Sequence, residues 1–299
     1  MDQFLAVEIG VIALYTFCLI YVIRRDRKML PFFISSTFYA IIFENMNIFL
    51  SYNSVGGYYY NSNFKFFIHH VPLFVVLAWS VIIYTSLKIA SSLNLKKQSI
   101  PFVAALLVLL VDLAIDVIAI RLRYWFWFGY SFKDGYFGVP ANNFIGWLLV
   151  SFTWFYFEQK FNLKRIWLKY TFLPIISYLT FLLLFIFITI VEAFLVLNKT
   201  QEFLILGYLL IIFLAQIKRG EGGGSKDKII YLFRLPFYAF GLFFLLKERM
   251  YEESVLLVFL SIIFTAVEIA LMLGEGSVFA KKDNKGNLQI VKRNKLSKR

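Results

Sequence analysis

Residues 112–147 read DLAIDVIAIRLRYWFWFGYSFKDGYFGVPANNFIGW, which is the end of one apolar run, an aromatic loop and the start of a second apolar run. Asp112 and Asp116 lie one helical turn apart inside the first run, and Asn142 and Asn143 open the second. A carboxylate inside a membrane-length apolar run is costly and points to a functional site. The segment therefore predicts two membrane helices joined by an aromatic loop, with polar side chains gathered near that loop.

The second run follows a Gly-Val-Pro sequence. Pro140 suits the first turn of a helix, where its missing N–H costs no hydrogen bond. Gly138 allows the backbone to turn tightly just before it. These residues predict that a new helix begins at residue 140.

Apolar runs of the same kind recur on both sides of this segment. Hydrophobic residues make up 60% of the 299 residues and the mean hydropathy is +0.72, whereas a soluble globular chain is roughly half apolar. A helix of about 20 apolar residues crosses a bilayer, so we expect an all-α, polytopic transmembrane helical bundle of nine spans, with eight as the alternative count. The nine predicted spans are residues 4–23, 29–50, 66–87, 100–121, 140–159, 170–197, 202–217, 229–246 and 253–274. Arg234 and Pro236 interrupt the eighth span.

The domain organisation follows from these runs. We expect residues 1–274 to form a single transmembrane helical domain and residues 275–299 to form a basic cytoplasmic tail. The sequence GEGGGS at residues 220–225 is typical of a flexible linker between spans seven and eight. Cys18 is the only cysteine, which excludes an intrachain disulfide.

The Lys and Arg residues are distributed as this topology requires. They are concentrated after spans one, three, five and seven, and residues 281–299 contain eight of them against one acidic residue. Because the cytoplasmic loops of membrane proteins are rich in Lys and Arg, we expect a plasma-membrane protein with its N-terminus outside and its C-terminus in the cytoplasm. Arg121, Arg123 and Lys133 are exceptions, since they fall on the outer side.

The net charge of +13 has the same explanation. Basic loops and a basic tail contact anionic lipid, and no nucleic-acid recognition motif accompanies the charge. We therefore expect membrane lipid, and no nucleic acid, among the partners of the chain.

Asp112 and Asp116 share one helix face because they are four residues apart. Two carboxylates that lie this close in a low-dielectric medium cannot both ionise comfortably, so we expect one of them to retain a proton near neutral pH. A retained carboxylic acid is what protonation of an alkene requires. The alternative is a structural pair that Arg121 or Arg123 neutralises across the helix packing.

Cofactor chemistry finds little support in the sequence. A metal or diphosphate site of the aspartate-rich prenyltransferase type would need a second aspartate-rich motif, and the sequence has none. His69 and His70 are the only histidines, which excludes the histidine-box di-iron oxygenases and argues against a His-ligated haem. No GxGxxG fingerprint between a strand and a helix is present. We expect no metal and no cofactor.

The predicted topology brings Glu44, the Asp116 region, the aromatic loop and the Asn142–Asn143 pair to one depth near the outer leaflet. That convergence predicts a single pocket, which Glu192 would also approach, whereas Glu268 is expected to be structural. The alternative for Glu44 is an interhelical hydrogen bond. Asn142 and Asn143 either cap a helix or position a water molecule.

The aromatic residues of the loop have two interpretations, and they are Trp125, Trp127, Tyr130 and Tyr136. They either line a substrate channel, in which their faces stabilise a carbocation, or belong to an aromatic belt at the membrane interface.

Taken in order, these residues resemble the signature of the integral-membrane carotenoid hydratases, which include the carotenoid 1,2-hydratases of bacteria and the bisanhydrobacterioruberin hydratases of haloarchaea. The match spans roughly residues 40–150. The residues that carry it are Glu44, Gly57, Tyr58, Tyr59, Val71, Pro72, Trp79, Tyr84, Asp112, Asp116, Trp125, Trp127, Tyr136, Gly138, Pro140, Asn143, Gly146 and Trp147. Val117 stands where the family pattern has a proline.

The resemblance implies that water adds to the terminal C=C of an acyclic carotenoid, giving a tertiary alcohol without a redox cofactor. Asp112 or Asp116 would donate the proton, with Glu44 as its partner or as the group that activates water, and Asn143 would orient that water. The expected substrate-binding residues are Trp125, Trp127, Tyr136, Asn142, Asn143 and Trp147. The expected partners are a long apolar carotenoid, membrane lipid and other enzymes of the carotenoid pathway.

Two other functions remain open at this point. A cofactor-free cyclase or isomerase of polyprenyl substrates would begin with the same protonation. The other is a non-enzymatic transporter or assembly partner. Internal repeats and helices broken at mid-membrane would indicate a transporter. The sequence has no repeat, and only the eighth span is interrupted by proline.

Overall fold

The computed structural model describes residues 2–161, 163, 165–220, 226–274, 279–282 and 288–291. The described chain is a bundle of antiparallel helices with short strands in its loops. The helices are α1 (Gln3–Arg25), α2 (Leu30–Leu50), α3 (Leu73–Ser92), α4 (Ile100–Arg121), α5 (Ala141–Lys160), α6 (Ile166–Leu195), α7 (Glu202–Ala215), α8 (Lys228–Leu232), α9 (Leu235–Lys247) and α10 (Val255–Leu273). The strands are β1 (Tyr58–Tyr60), β2 (Phe67–Ile68), β3 (Val71–Pro72), β4 (Trp125–Trp127), β5 (Phe279–Lys282) and β6 (Leu288–Val291).

Each predicted span contains a helix, and the expected all-α membrane bundle is confirmed. Seven helical segments of the described chain are long and apolar enough to cross a membrane by length and composition. They are Gln3–Arg25, Arg27–Leu50, Leu73–Ser92, Lys97–Arg121, Ile166–Leu195, Lys228–Lys247 and Val255–Leu273. α5 has 20 residues but more polar side chains, and α7 has 14 residues.

The third span begins later than the sequence predicted. Its helix starts at Leu73 and not at residue 66, because the preceding residues form the β2–β3 hairpin, whose turn contains His69 with a φ of 60°. The buried carboxylate of Glu8 on α1 accepts hydrogen bonds from the backbone N–H groups of Lys65 and Phe66. These bonds satisfy two backbone N–H groups that an extended segment leaves without helical partners just before α3.

The eighth span is interrupted, as the sequence predicted. α8 ends at Leu232, and α9 starts at Leu235 with Pro236 in its first turn. Arg234 lies in the break and is fully buried. Its guanidinium donates to Glu268 on α10 at 2.8 and 3.0 Å, to the Ser86 hydroxyl on α3 at 2.7 Å and to a backbone carbonyl of α4 at 2.9 Å.

α4 is the central helix of the bundle. It packs against α3, α5, α7, α9 and α10, and its side chains are buried around almost the whole circumference. A helix that is apolar on all sides is found in a protein core or as a membrane span, and α4 lies in the core of this bundle. The two aspartates of α4 are therefore removed from water by the fold itself.

The bundle has two different ends. The loop end contains residues 51–72 and 122–140, where β1 pairs antiparallel with β4. At the basic end Lys88 bridges to Asp26 at 2.9 Å, and Leu95 pairs with Arg219. The basic loops after spans one, three and seven thus meet at one end, while the orientation of that end in the membrane stays a prediction.

Two predicted segments fall largely outside the described residues. They are the linker 220–225, apart from Gly220, and most of the tail 275–299, within which β5 pairs antiparallel with β6. The division into a domain of residues 1–274 and a tail stays a prediction.

Candidate active site

Asp112, Asp116 and Asn143 form a buried polar cluster between α4 and α5. The amide Nδ2 of Asn143 donates to an oxygen of Asp112 at 3.0 Å and to an oxygen of Asp116 at 2.6 Å. The exposed fractions of the two aspartates are 0% and 2%. A single amide nitrogen thus joins the two carboxyl groups.

The local sequence explains this cluster. The four-residue spacing places both carboxyl groups on the face of α4 that meets α5. Asn143 is the third residue of α5, and that helix starts where Pro140 and Gly138 predicted. Gly138 has a φ of 99°, a conformation that a residue with a Cβ rarely adopts.

Arginine does not neutralise the pair within the part of the chain that the structure describes. Arg121 donates instead to Glu253 at 2.8 Å and to the backbone carbonyls of Val117 and Phe137. The alternative of an aspartate pair bridged by Arg121 or Arg123 therefore has no counterpart in the described ion pairs. In the described chain, the side chain that donates to both aspartates is Asn143.

Glu44 on α2 accepts hydrogen bonds from three side chains. One oxygen accepts from the indole N–H of Trp79 at 2.6 Å. The other accepts from the phenols of Tyr58 at 2.6 Å and Tyr60 at 3.0 Å. Burial, and then the neighbouring Glu44, raise the pKa of both phenols well above the ordinary value. Both tyrosines therefore keep their protons and act as donors to a fixed carboxylate.

An aromatic-lined cavity of about 280 Å³ connects Glu44 to Asp116. We call it the first cavity. Its polar lining includes Glu44, Asp116 and Asn143, while Asp112 lies behind Asp116 and does not reach it. Its aromatic lining residues are Tyr58, Tyr60, Phe74, Trp79, Tyr124, Trp125, Trp127, Trp147, Phe237 and Phe240.

A second cavity of about 340 Å³ lies beside the first. Both cavities are lined by Glu44, Tyr58, Trp79, Trp127, Asn143 and Trp147. The rings of Trp79 and Trp147 are stacked within this shared wall, with 3.9 Å between their centroids. The second cavity continues along apolar side chains of α6 and ends near Leu50 of α2.

The structure brings most of the predicted site residues together. Glu44, Asp116, Asn143 and three tryptophans (Trp125, Trp127 and Trp147) line the first cavity. The tryptophans of the loop thus face this cavity, which favours the channel interpretation over a belt at the membrane surface.

Besides Asp112, two predicted site residues do not line the first cavity. Tyr136 packs against Phe144, with 5.4 Å between the ring centroids, and lines neither of the two cavities. Asn142 lines only the second cavity and donates to Glu192 at 3.1 Å.

Seven aromatic side chains of the first cavity had no predicted role in the site, although Tyr58 and Trp79 are among the residues that carry the family resemblance. Trp79, Tyr58 and Tyr60 hold Glu44. The others are Phe74, Tyr124 and, from α9, Phe237 and Phe240. A signal existed for the tyrosines, because Tyr58–Tyr60 and Trp125–Trp127 are both aromatic triplets of the kind that pair across strands. No local sequence pattern indicated that α9 lies beside the first cavity.

Neither a metal site nor a histidine site accompanies the carboxyl groups. No group of three His, Cys, Asp or Glu side chains in the described residues is arranged to hold a metal ion. His69 and His70 lie at the β2–β3 turn and line neither cavity.

Comparison with known proteins gives one family. The family model described as "Carotenoid biosynthesis protein" matches residues 3–214. This range contains α1 to α7 and every residue of the Glu44 and Asp116 clusters, but not α9 or α10. No curated protein and no solved structure matches the chain.

Proposed function

The chain belongs to the carotenoid biosynthesis protein family, and we propose on that premise that it adds water to the terminal C=C of an acyclic carotenoid. One observation carries the proposal, which is that Asp116 and Glu44 face the same aromatic-lined cavity inside the membrane helices. A carotenoid end group is apolar and matches that lining. The carboxyl groups supply the only chemistry that hydration needs, which is the transfer of a proton.

The first proposed step is protonation of the alkene. Asp116 carries the proton to the less substituted carbon of the C=C, and the π electrons form the new C–H bond. Asp112 shares its proton with Asp116, and Asn143 holds both carboxyl groups in place through its amide. Asp116 is the proposed catalytic acid because it lines the cavity and Asp112 does not.

The second proposed step is stabilisation of the tertiary cation. The electron-rich faces of Trp125, Trp127 and Trp147 attract a cation by their quadrupoles. The charge of Glu44, fixed by its three donors, adds electrostatic stabilisation in a medium of low dielectric constant.

The third proposed step is capture of the cation by water. The water oxygen forms the C–O bond, and the surplus proton returns to the Asp116 carboxylate, so the enzyme ends in its starting state. One buried polar atom of the first cavity is suited to orient that water, because the indole N–H of Trp127 has no partner in the described chain. This assignment leaves Asn143 to position the aspartates.

The test is expression in a host that accumulates lycopene or its elongated C50 relative, with pigment analysis by liquid chromatography and mass spectrometry. We expect a pigment heavier by one water. Asp116→Asn should abolish it, and Glu44→Gln should lower its amount about a hundredfold, as the loss of an electrostatic catalytic group does. Glu158→Gln is the matched control, because Glu158 pairs with Lys169 and lines neither cavity.

Each other result has a defined meaning. A pigment of unchanged mass but shifted absorption would identify a cyclase or isomerase that uses the same acid. Hydration that survives Asp116→Asn would remove Asp116 from the mechanism. An unaltered pigment from both substrates, with folded protein in the membrane, would refute hydration.

A further inference from the structure

The two cavities differ in what they offer a substrate. Asp116, Tyr60 and Trp125 line the first cavity only. The second cavity runs along Phe181 and Phe185 of α6, which are apolar and provide no acid. The proposed acid thus belongs to the first cavity, and the α6 side of the second cavity has the lining of a hydrocarbon site.

The second cavity also reaches the lipid-facing surface. Its outer wall includes Leu50 at the end of α2 and Ile186 on α6, whose exposed fractions are 51% and 46%. Exposed apolar side chains of a membrane helix face the hydrocarbon of the bilayer. The end of this cavity therefore lies beside lipid, between α2 and α6.

We propose that one carotenoid molecule occupies both cavities, with its end group in the first and its polyene passing through the second into the bilayer between α2 and α6. The proposal rests on the proposed function. The observation behind the proposal is that the two cavities are adjacent, since six residues line both, with Glu44 and Asn143 among them. The end group then lies beside Asp116 while the rest of the molecule stays in lipid.

A competing path exists at the other side of the first cavity. Gly10 of α1 lines that cavity and is exposed at the bundle surface. If the polyene left beside Gly10, the second cavity would have no part in binding. The two paths differ in whether blocking the second cavity matters.

Gly146 provides a block for the second cavity. It lines that cavity and not the first, and a Cβ at this position would have Phe185 Cε2 as its nearest neighbour, at 3.9 Å. Gly146→Leu thus fills cavity space without meeting backbone. The double variant Gly146→Leu/Phe185→Ala returns volume to the same place.

Gly207→Leu is the matched control. Gly207 lies in the middle of α7, lines neither cavity, and has nothing within 4 Å of an added Cβ. The substitution adds the same side chain to the same kind of helix without touching the site.

The experiment purifies each variant from a lycopene-accumulating host and measures carotenoid retained per protein, besides the pigment produced. We expect Gly146→Leu to retain and convert at least about tenfold less, because a hydrocarbon site discriminates by about this factor for each misplaced methylene. The double variant should recover both, and Gly207→Leu should equal the wild type. The amount of purified protein and its melting temperature are measured as the control for folding of the Gly146→Leu variant.

Gly146→Leu protein that retains and converts lycopene like the wild type would overturn the proposal. Loss that Phe185→Ala does not restore would overturn it as well. Wild-type protein that retains lycopene without converting it would refute hydration alone, since retention by the variants still decides the path. Wild-type protein that neither retains nor converts carotenoid would overturn both.

Discussion

Glu44 is held by donors from two separate parts of the chain, an indole on α3 and two phenols on β1. A carboxylate that accepts from three donors has little freedom to rotate, so its charge has a fixed position beside the first cavity. The alternation of side chains along β1 explains the choice of donors, since Tyr58 and Tyr60 share one face of the strand and Tyr59 lies on the other.

That alternation gives a matched pair of substitutions. Tyr58→Phe removes a hydrogen bond of 2.6 Å to Glu44, and a hydrogen bond to a charged group contributes about 1.5–3 kcal/mol. We expect the rate of product formation to fall about tenfold or more, whereas Tyr59→Phe, whose ring stacks on Phe126, should leave it unchanged. Equal rates for the two variants, measured in membranes with equal amounts of protein, would contradict the role of Tyr58.

The same tyrosines predict an alkaline limit to stability. Burial and the nearby Glu44 raise the pKa of Tyr58 and Tyr60 in the folded protein, while in the unfolded chain both phenols ionise near pH 10, about their ordinary value. Their stabilising contribution is therefore complete below about pH 10 and is lost as the pH rises toward the folded pKa.

We expect the free energy of unfolding to fall above about pH 10, and to fall less steeply in Tyr58→Phe/Tyr60→Phe. Chemical denaturation in detergent at several pH values measures both slopes. Identical slopes would show that these phenols do not cause the effect.

At the residue scale, the sequence predicts the parts of the site that local spacing determines. Asp112 and Asp116 share a face because of helical geometry, and Asn143 follows a proline that starts α5. The partners of Glu44 were not predicted because their positions depend on tertiary contacts. Tyr58 and Tyr60 lie on a strand that pairs with a distant loop, and Trp79 reaches Glu44 through the packing of α2 against α3.

At the scale of elements, the break between α8 and α9 fixes the wall of the first cavity. Arg234 in the break joins α10 through Glu268 and reaches α3 and α4 through Ser86 and a backbone carbonyl. α9 then presents Phe237 and Phe240 to the cavity. The expectation that Glu268 is structural agrees with this ion pair.

Arg234 provides the test of this arrangement. Arg234→Met leaves Glu268 charged, buried and unpaired, which typically costs about 3–5 kcal/mol. We expect a large decrease in melting temperature, and recovery of most of it in Arg234→Met/Glu268→Met, because two apolar side chains replace a buried pair at little cost. A single variant as stable as the wild type would show that the ion pair does not hold α9.

The helices themselves were predictable, since each lies largely within one of the apolar runs of the sequence. The beginning of α3 was not, because Phe66, Phe67 and Ile68 extend the apolar run in front of it. The β2–β3 hairpin and the hydrogen bonds from Lys65 and Phe66 to Glu8 keep these residues out of the helix. The packing of α9 on the site was also beyond local patterns, since it depends on the buried Arg234.

At the scale of the whole molecule, the chain has a loop end with the site and a basic end with the Lys88–Asp26 bridge. The positive-inside rule predicts that the basic end faces the cytoplasm. Ser54 and Ser91 are exposed and lie at the loop end and the basic end.

In a Cys18→Ser background, a membrane-impermeant maleimide applied to intact cells should label Ser54→Cys and not Ser91→Cys. Permeabilised cells should label both, which serves as the control for reactivity. Labelling of Ser91→Cys alone in intact cells would reverse the predicted orientation.

The β1–β4 ribbon has a consequence for how the protein is made. Because Glu44 and β1 are synthesised long before Trp125–Trp127, β1 has no partner strand until β4 has been made. Glu44 and Asp116 can come together only when the second loop has been made, and α9 follows later in the chain. The reactive groups are therefore apart in the nascent chain, and the first cavity is complete only when α9 has been added.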